Sequence, residues 1–330
     1  MRIASFNLEN LDDQPGMEPS LAERIGILRP QLVRLDADIL CLQEVNAQKP
    51  AGNKRARRAF GALDALLDGT KYAAFHRASS VRADGKGPAD VQNLVILSRL
   101  PLAGHRQYWH DLVGPPAYRR ASASPPDAEA APVGWDRPVL HAWIDLEDGR
   151  RLHVLDTHLR APLAAFVPGQ KEGPFTWKSA AGWAEGFYLA TMKRAGQALE
   201  ARFAVDRVFD AEADALIAVC GDMNAELSEM PLRILRAEKE DTANGRLAGR
   251  VLVPIERAVP DSRRFSVLHA GRPLMLDHLL VSRRLLAHCR GVEIHNEGLE
   301  DEVVGYAVAH GSPESYHAPI VAEFDLEAGD

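Results

Sequence analysis

Seven side chains able to bind a cation or to move a proton stand at the ends of short apolar segments. They are carboxylates, amides and imidazoles, namely Asn7, Glu44, His158, Asp222, Asn224, Asp277 and His317. Carboxylate and amide oxygens suit hard divalent cations, whereas an imidazole changes its charge near neutral pH. If the fold brings these groups together, the chemistry they would support is metal-assisted hydrolysis of a phosphate ester.

Two of these groups lie in the motif Gly221-Asp222-Met223-Asn224, directly after the apolar residues 216–220. A strand in that segment would present a carboxylate and an amide together from a rigid end. Asp and Asn are also common turn formers, so on its own this motif favours a simple turn.

Asp277 and His317 form a second candidate pair. Asp277 stands in the apolar segment 275–281, and His317 shortly precedes the segment 320–324. A buried Asp could accept a hydrogen bond from one ring nitrogen, leaving the other nitrogen to face a water or a phosphate oxygen. Taken alone, His317 would fit a satisfied core or surface residue, and His278 is better explained in that way.

Glu44 and His158 follow two other predicted strands. Residues 39–42 are a continuous apolar run, typical of a strand buried on both faces, and Glu44 comes soon after it. His158 follows residues 152–156 and could donate to a phosphate oxygen. Glu44 alone would more often be a solvated strand end.

Short apolar or alternating segments predict most of the secondary structure. Strands are expected at residues 3–7, 39–42, 94–97, 140–146, 152–156, 215–220, 275–281 and 320–324, and helices at residues 21–35, 60–67 and 195–209. Several strands are joined too briefly for crossover helices, so the sheets should be mixed or antiparallel. In the first helix, Ser20 and Glu23 have capping-box spacing, and Pro30 predicts a kink or a break.

The length and composition fit one large α/β domain or two small ones, and because the sequence has no internal repeat and no interdomain linker, one domain is expected. The chain has 330 residues, 46% of them hydrophobic, with 39 basic and 46 acidic residues and a net charge of -7. This balance argues against a generally basic nucleic-acid coat, and three scattered cysteines suggest neither a disulfide framework nor a thiolate zinc cluster. Without a membrane-spanning run or a secretory leader, a cytoplasmic protein is expected.

Two segments inside the single predicted domain, residues 1–330, resemble insertions. Residues 114–138 are rich in Pro, Ala and Ser and predict a mobile loop. Residues 160–188 carry several large aromatic side chains, which could stack bases, cover a small phosphorylated ligand, meet lipid or fill the core. The aromatic residues of this segment are Phe166, Phe175, Trp177, Trp183, Phe187 and Tyr188.

A basic segment follows Glu44. No acidic residue occurs from Val45 to Leu63, so this part of the chain could contact an extended polyanion near the predicted metal site. A solvated loop and helix start is an equally good interpretation. The basic residues are Lys49, Lys54, Arg55, Arg57 and Arg58.

Taken in order, the motifs resemble those of the endonuclease/exonuclease/phosphatase superfamily, which has the DNase I-like fold. Each motif is short, but the ordered set extends from the first predicted strand to the last. The matching residues are Ser5-Phe6-Asn7, Leu42-Gln43-Glu44, Leu97-Ser98-Arg99, Thr157-His158-Leu159, Gly221-Asp222-Met223-Asn224, Leu276-Asp277-His278 and Ser315-Tyr316-His317-Ala318-Pro319.

The resemblance implies an α/β (α+β) fold, a four-layer sandwich of two mixed β-sheets flanked by helices, with the active site at one rim. It implies that Asn7 and Glu44 hold a divalent metal and that Asp277 orients His317. The remaining implied roles are positioning of water and phosphate by Asp222 and Asn224, phosphate binding by His158, and further phosphate contact by Asn93 and Arg137.

One departure from the family pattern concerns the residue before the last histidine. Family members commonly have Asp there, whereas this chain has Tyr316. The change puts a second metal position in question, and Tyr316 could either pack or donate its hydroxyl.

The predicted activity is divalent-metal-dependent phosphoester hydrolysis, with Mg²⁺ or Mn²⁺ as the cofactor. Water activated by Asp222 and by the Asp277–His317 pair would attack in line, with His317 acting either as base or as charged stabiliser. A nuclease or related phosphodiesterase is favoured, with nucleic acid among the possible substrates. The alternatives are a phosphatase or phosphodiesterase for a small molecule or lipid headgroup, and a noncatalytic binding scaffold; no protein partner is identifiable.

Overall fold

Two six-stranded β-sheets form the centre of the protein, whose computed structural model describes residues 1–49, 56–308 and 312–326. Sixteen strands are present in these residues: β1 Arg2–Leu11, β2 Ile39–Val45, β3 His76–Ser79, β4 Asn93–Ser98, β5 Gly104–Tyr108, β6 Ala117–Tyr118, β7 Ala131–Pro132, β8 Val139–Asp145, β9 Arg151–His158, β10 Leu216–Asp222, β11 Leu252–Pro254, β12 Val267–His269, β13 Arg272–Leu274, β14 Asp277–Ser282, β15 Cys289–Ile294 and β16 Ile320–Phe324.

Seven α-helices lie among these strands in the same residues. They are α1 Leu21–Leu35, α2 Gly61–Leu67, α3 Ala180–Ala211, α4 Met230–Arg236, α5 Lys239–Thr242, α6 Arg283–Leu286 and α7 Glu302–Val308. None of the helices in the described part of the chain has the length and apolar character needed to cross a bilayer.

Both large sheets are mixed, as the short connections predict. The first has the order β15-β16-β1-β2-β4-β3 and the second β11-β14-β10-β9-β8-β5. In the first sheet β1 and β2 are parallel, in the second β9 and β10 are parallel, and the other neighbours are antiparallel. Two further pairs, β6-β7 and β12-β13, stand outside the large sheets.

Three buried clusters show how the layers pack. The cluster between the sheets contains Ile39 and Ile96 from the first sheet and Val154 and Leu279 from the second. A second cluster covers the outer face of the first sheet with α1 and α2, and a third covers the second sheet with α3 and α4. The central strands carry apolar residues on both faces, and each sheet therefore has a buried cluster on either side. The four-layer sandwich predicted from the resemblance is confirmed.

Helix α1 begins as the sequence predicts but does not end at its proline. The Ser20 hydroxyl accepts from the N–H of Glu23, and the Glu23 carboxylate accepts from the N–H of Ser20, which completes the capping box. The helix then continues through Pro30 to Leu35. Of the two alternatives expected at Pro30, the break is therefore wrong, and the kink stays a prediction.

The segments predicted as insertions pack against each other. Residues 114–138 contain the β6-β7 pair, and Ala123 and Val133 are buried against Val167 and Leu189. The Glu185 carboxylate of α3 accepts hydrogen bonds from the N–H groups of residues 121 and 122. The expectation of a mobile loop is therefore corrected: this segment has its own small core. Residues 180–188, expected in the second insertion, form the start of α3.

Candidate functional site

The strand ends that carry the predicted site residues meet at one rim of the sandwich. Asn7 and Glu44 come from the parallel strands β1 and β2 of the first sheet. His158 and Asp222 stand opposite each other at the ends of the parallel strands β9 and β10. Asp277 begins the neighbouring β14, directly opposite Asp222. The two sheets thus contribute to one site.

A β-bulge directs Glu44 toward this rim. The register of β2 with β4 shifts between Leu42 and Val45, and Glu44 has φ 58°. A positive φ is uncommon outside glycine, and such backbone strain often accompanies a functional position. The two oxygens of Glu44 accept hydrogen bonds from Asn7 Nδ2 at 3.2 Å and from the N–H of Asn10 at 3.0 Å.

Asn7 links the carboxylates of the two sheets. Its Nδ2 donates to Glu44 and also to Asp222 Oδ2, at 3.1 Å. Its Oδ1 accepts from the N–H of Glu9 at 2.8 Å. In this structure Asn7 therefore orients Glu44 and Asp222, and its amide oxygen faces the main chain.

His158 lies beside both carboxylates and is buried. Its Nε2 is 3.5 Å from Glu44 Oε1 and 3.4 Å from Asp222 Oδ2. Burial lowers the pKa of His158 well below its usual value, and the nearby Arg137 and His317 lower it further. A neutral His158 can offer a ring nitrogen either to a cation or to a phosphoryl oxygen.

Asp222 and Asn224 form a compact turn after β10. The N–H of Asn224 donates to Asp222 Oδ1 at 2.8 Å, and its Nδ2 donates to Oδ2 at 2.9 Å and to the Leu159 carbonyl at 3.0 Å. Burial raises the pKa of Asp222 to about 7; His317 opposes this rise, whereas Asp277 and Glu44 add to it. This geometry is thus compatible both with a simple turn at residues 221–224 and with a catalytic role for Asp222 and Asn224.

Asp277 and His317 are paired as the sequence predicts. Asp277 Oδ2 is 2.8 Å from His317 Nδ1, which leaves Nε2 of the ring available. Burial alone would lower the pKa of His317, but the Asp277 and Asp222 carboxylates outweigh it and raise that pKa well above its usual value. The charged imidazole is therefore favoured at neutral pH.

Both ring nitrogens of His278, the neighbour of Asp277, have hydrogen-bond partners in the core. Its Nδ1 is 2.6 Å from Glu256 Oε1 and its Nε2 is 2.8 Å from the Ala225 carbonyl, with both side chains fully buried. The sequence interpretation of His278 as a hydrogen-bonded core residue agrees with this geometry.

The loop before β16 is fixed by residues to which the sequence analysis gave no role of their own. The Ser315 hydroxyl donates to the Asn7 carbonyl at 2.7 Å and accepts from the N–H of His317 at 3.1 Å. The Glu9 carboxylate accepts from the N–H of Tyr316 at 2.7 Å. The position of Ser315 in the motif Ser315-Tyr316-His317-Ala318-Pro319 is the one sequence feature that indicates its role. No sequence feature indicates a role for Glu9.

Tyr316 is buried, with its ring directed to α7. A Cβ added to Gly305 of that helix would collide with the Tyr316 hydroxyl, so the phenol lies close against the helix backbone. Of the two roles considered for Tyr316, packing is the one that these contacts favour. The aromatic ring adds no carboxylate to the site.

The two weaker substrate-binding candidates differ in position. Arg137 donates to Gln92 Oε1 at 2.9 Å and to the Leu159 carbonyl at 3.3 Å, and burial lowers its pKa while Glu44 and Asp222 oppose that effect. Arg137 therefore lies beside the site. Asn93 donates to the Val45 carbonyl and accepts from the N–H of Ala89, each at 2.8 Å, which favours a structural role for its amide.

The basic segment after Glu44 lies partly outside the described residues. Lys54 and Arg55 lie outside the described residues. Arg58 donates to the Ala47 carbonyl at 2.8 Å and is 3.5 Å from Asp90. The guanidinium of Arg58 is thus tied to the protein's own groups.

The donor set at the rim fits a divalent cation. Ligand atoms of Glu44, His158 and Asp222 lie within 4.8 Å of one another, as do those of Asp222, Asp277 and His317. The pKa of Asp222 is raised by burial first and by the Asp277 and Glu44 carboxylates in addition, so a bound cation would stabilise its ionised form. Mostly oxygen ligands with one imidazole suit Mg²⁺ or Mn²⁺.

Comparison with known proteins agrees with this geometry. The sequence model of the Endonuclease/Exonuclease/phosphatase family matches residues 4–312. No curated protein sequence matches significantly.

Solved structures share the fold at low sequence identity. A 3′ phosphatase, NExo, from Neisseria bound to a product DNA hairpin has a TM-score of 0.51 and 16% identity, covering 99% of this chain and 100% of its own. An AP endonuclease from Archaeoglobus fulgidus has a TM-score of 0.51, 17% identity and the same coverages. A mannosyl-6-phosphatase from Bacteroides thetaiotaomicron has a TM-score of 0.59, 14% identity and again the same coverages.

Proposed function

The chain belongs to the Endonuclease/Exonuclease/phosphatase family, and from this membership we propose that it is a divalent-metal-dependent phosphoester hydrolase, with a nuclease or related phosphodiesterase activity first among its candidates. The observation that carries the proposal is the meeting of Asn7 and Glu44 from one sheet with His158, Asp222 and Asp277 from the other. These groups are buried or nearly so, and hydrogen bonds fix them relative to one another. Such preorganisation is what catalysis of a charged transition state needs.

Each group has a role that its contacts support. Asp222, at the centre of the cluster, is placed to accept a proton from the attacking water. His317, oriented by Asp277, would hold a proton opposite the phosphoryl oxygens. His158, neutral and buried, would donate a ring N–H to the same phosphate.

The metal would be held by Glu44, with an Asp222 oxygen as the neighbouring donor, while His158 would keep its N–H for the phosphate. When bound, a divalent cation withdraws charge from the phosphoryl group and favours its attack by water. Asn7 and Asn224 keep the carboxylates in place through their hydrogen bonds to Asp222. Arg137, beside the site, would contact a phosphate oxygen.

A second candidate function is hydrolysis of a phosphoester in a lipid headgroup or small molecule. The observation that favours it is a group of exposed apolar side chains in residues 163–187, shortly after His158 in the chain. Exposed apolar side chains can bind the hydrocarbon part of a lipid by burial of apolar area.

A substrate panel tests the proposal. The purified protein is assayed with bis-p-nitrophenyl phosphate, plasmid DNA, RNA, nucleotides, inositol phosphates and phospholipids, with Mg²⁺ or Mn²⁺ and with EDTA. We expect cleavage that EDTA abolishes and that Asp222→Asn reduces by about a thousandfold, because the variant loses the proton acceptor. Asp214→Asn, at an exposed position after α3, is the matched control and should retain full activity.

The outcomes separate the candidates. Cleavage of polynucleotides supports a nuclease, whereas cleavage confined to phospholipids or small monoesters moves the assignment to the second candidate. Inactivity on every substrate with Mg²⁺, Mn²⁺ and Ca²⁺, or equal activity in Asp222→Asn and wild type, would overturn the proposal in favour of a noncatalytic scaffold.

A further inference from the structure

Exposed apolar side chains are concentrated in one part of the molecule. Of the fourteen large hydrophobic residues exposed in the described chain, six lie between residues 163 and 188. Five of them, here named the apolar ridge, are Leu163, Phe166, Phe175, Trp183 and Phe187. Phe175 is 94% exposed and Leu163 is 68% exposed. Large contiguous apolar patches on soluble proteins usually mark an interaction surface.

The base of the apolar ridge is well packed. The N–H of Ala165 donates to the Gly186 carbonyl at 2.8 Å, which places the first loop of the ridge against α3. A Cβ added to Gly186 would approach the Ala165 carbonyl to 2.5 Å and the Trp177 ring to 2.8 Å, so loop and helix are in close contact there. The loops are therefore held in place while their large side chains face outward.

Phe175 stands at the tip of a fixed turn. Lys171 and Trp177 form an isolated antiparallel bridge, and the N–H of Glu172 donates to the Thr176 carbonyl at 3.0 Å. The Lys171 ammonium group lies 4.5 Å from the centre of the Trp177 ring. The turn thus presents an apolar tip without the ordering cost of a flexible loop.

Positive charge borders this apolar surface in a chain whose net charge is -7. Lys171 and Lys178 lie on either side of the Phe175 tip in sequence, with Glu172 as the one acidic residue between them. Glu185, the next acidic residue, is occupied by hydrogen bonds from residues 118, 121 and 122. Residues 171–178, which form the tip, thus carry two positive charges and one negative charge.

The chain on either side of the apolar ridge is hydrogen-bonded to the catalytic rim. The N–H of Leu159 donates to the Asp222 carbonyl at 2.9 Å, and the ridge begins four residues later at Leu163. At its other end, Arg194 of α3 donates to the Asn224 carbonyl at 2.6 Å. Phe187 precedes Arg194 by seven residues, about 10 Å along the helix axis.

We propose that the apolar ridge docks this protein on the surface of an anionic phospholipid bilayer, with Phe175 and its neighbours in the acyl boundary and the lysines among the headgroups. Aromatic side chains favour the membrane interface, and lysines are attracted to anionic lipids. This inference goes beyond the proposed hydrolase and does not depend on it.

The composition of the ridge favours lipid over single-stranded nucleic acid. Nucleic-acid bases stack on flat ring faces, and here Trp183 and Phe187 already stack on each other with ring centres 5.6 Å apart. The aliphatic Leu163 offers no ring at all. A bilayer, by contrast, accepts every one of these side chains by simple burial of apolar area.

Vesicle cosedimentation of the full chain tests this proposal. Vesicles of phosphatidylcholine with phosphatidylserine should bind the wild type, those of phosphatidylcholine alone should bind it less, and added salt should weaken binding to the first. Phe175→Ser and Trp183→Ser should each lower binding by about tenfold or more, since each removes a large apolar side chain that the bilayer would bury. Phe203→Ser is the matched control, because Phe203 is exposed on the same helix outside the ridge.

Three results would overturn the proposal. One is absence of vesicle binding by a folded wild-type protein, and another is an equal loss in Phe203→Ser and Phe175→Ser. The third is binding of a different partner that is lost in the ridge variants. A dimer in solution would assign the surface to a second copy of the chain. Binding of oligothymidylate in place of vesicles would assign it to nucleic acid. Because cosedimentation needs no turnover, its result is separate from that of the substrate panel.

Discussion

At the residue scale, the site depends on how one charged group holds the next. Asp277 has its carboxylate 2.8 Å from His317 Nδ1, and its own N–H donates to the Ser266 hydroxyl at 3.0 Å. The imidazole is thereby fixed in orientation and its charged form is favoured. The proposed catalytic contribution of His317 therefore requires the hydrogen bond between its Nδ1 and the Asp277 carboxylate.

Replacing this histidine should remove catalysis without unfolding the protein. For His317→Ala we expect kcat on bis-p-nitrophenyl phosphate to fall by about a thousandfold, because the proton held opposite the phosphoryl oxygens is lost. His269→Ala, on the exposed strand β12, is the matched control. A variant with native circular dichroism and a kcat within a few fold of wild type would exclude His317 from the reaction.

The structure brings together most of the residues that the sequence proposed for the candidate site, but the sequence did not predict all of their surroundings. Glu44, His158 and Asp222 end apolar strands, which is a local signal, and the resemblance supplied their order. Other contacts around the site come from Glu9, which holds Tyr316, from Gln92, which holds Arg137, and from Ser266, which holds Asp277. These pairs are separated in the sequence, and no local pattern reveals such contacts. Asn93 stands at a strand start as expected, yet its amide is used by neighbouring main-chain groups.

At the element scale, the close approach of β9 and β10 depends on one glycine. Gly221 has φ 132°, and a Cβ added there would lie 1.8 Å from the Thr157 carbonyl oxygen. A side chain at this position would be strained in its backbone and would push apart the strands that carry His158 and Asp222.

Gly221→Ala should therefore destabilise the fold by about 3 kcal/mol, as expected for a clash at a special backbone conformation. Urea unfolding followed by circular dichroism measures the change. Gly291→Ala, a strand glycine whose added Cβ has no atom within 4 Å, is the control and should change stability little. Equal stabilities of the two variants would contradict this account of the Gly221 contact.

A histidine pair joins β8 and β9 in the second sheet. His141 Nε2 is 3.0 Å from His153 Nδ1, and burial lowers the pKa of His141 to about 3 and that of His153 to about 4. Both pKa values lie below the value of about 6.5 in the unfolded chain. Between about pH 3 and about pH 6.5, the unfolded chain therefore binds more protons than the folded one. Folding stability contributed by the pair is thus complete above about pH 6.5 and is lost as the pH falls.

The variant His141→Gln should weaken that pH dependence. Its free energy of unfolding should fall less between pH 7 and pH 4.5 than that of the wild type, as measured by urea titration at each pH. The exposed His105→Gln on β5 serves as control and should follow the wild type. Parallel pH profiles for all three proteins would show that the pair does not remain neutral in the folded state.

The buried strands were predicted more accurately than the helices and loops, whereas largely exposed strands such as β5 and β15 were missed because they have no apolar run. Apolar runs such as residues 320–324 define a buried strand directly. The start of α3 was missed because residues 180–194 include two glycines and large aromatics, whereas the Ser179 hydroxyl caps the helix and accepts from the N–H of Gly182 at 3.0 Å. In residues 114–138 the Pro-rich composition concealed a small core that forms only against α3.

At the scale of the whole molecule, we propose that the chain is a single domain, as its sequence predicts. The buried cluster between the sheets contains residues of both sheets, from Ile3 of β1 to Phe324 of β16, so the two sheets share one core layer. Calorimetry should therefore show one unfolding transition with equal calorimetric and van't Hoff enthalpies. Two resolved transitions would divide the chain into separate units.

Metal binding should shift that transition. At a Mn²⁺ concentration of about 100 times Kd, binding to the folded state adds about 2.7 kcal/mol to its stability and raises Tm. In Glu44→Gln the shift should be much smaller, because a central carboxylate is lost, whereas the exposed Glu212→Gln should behave as wild type. An identical Tm shift in Glu44→Gln would place the cation elsewhere.

The pairing of β16 with β1 also determines when the site can exist. His317 directly precedes β16, which fills the gap between β15 and the first strand of the chain. During translation, the amino-terminal half of the cluster leaves the ribosome long before this last strand does. A nascent chain therefore carries an incomplete centre, and hydrolytic competence would arise only after synthesis has passed the final strand.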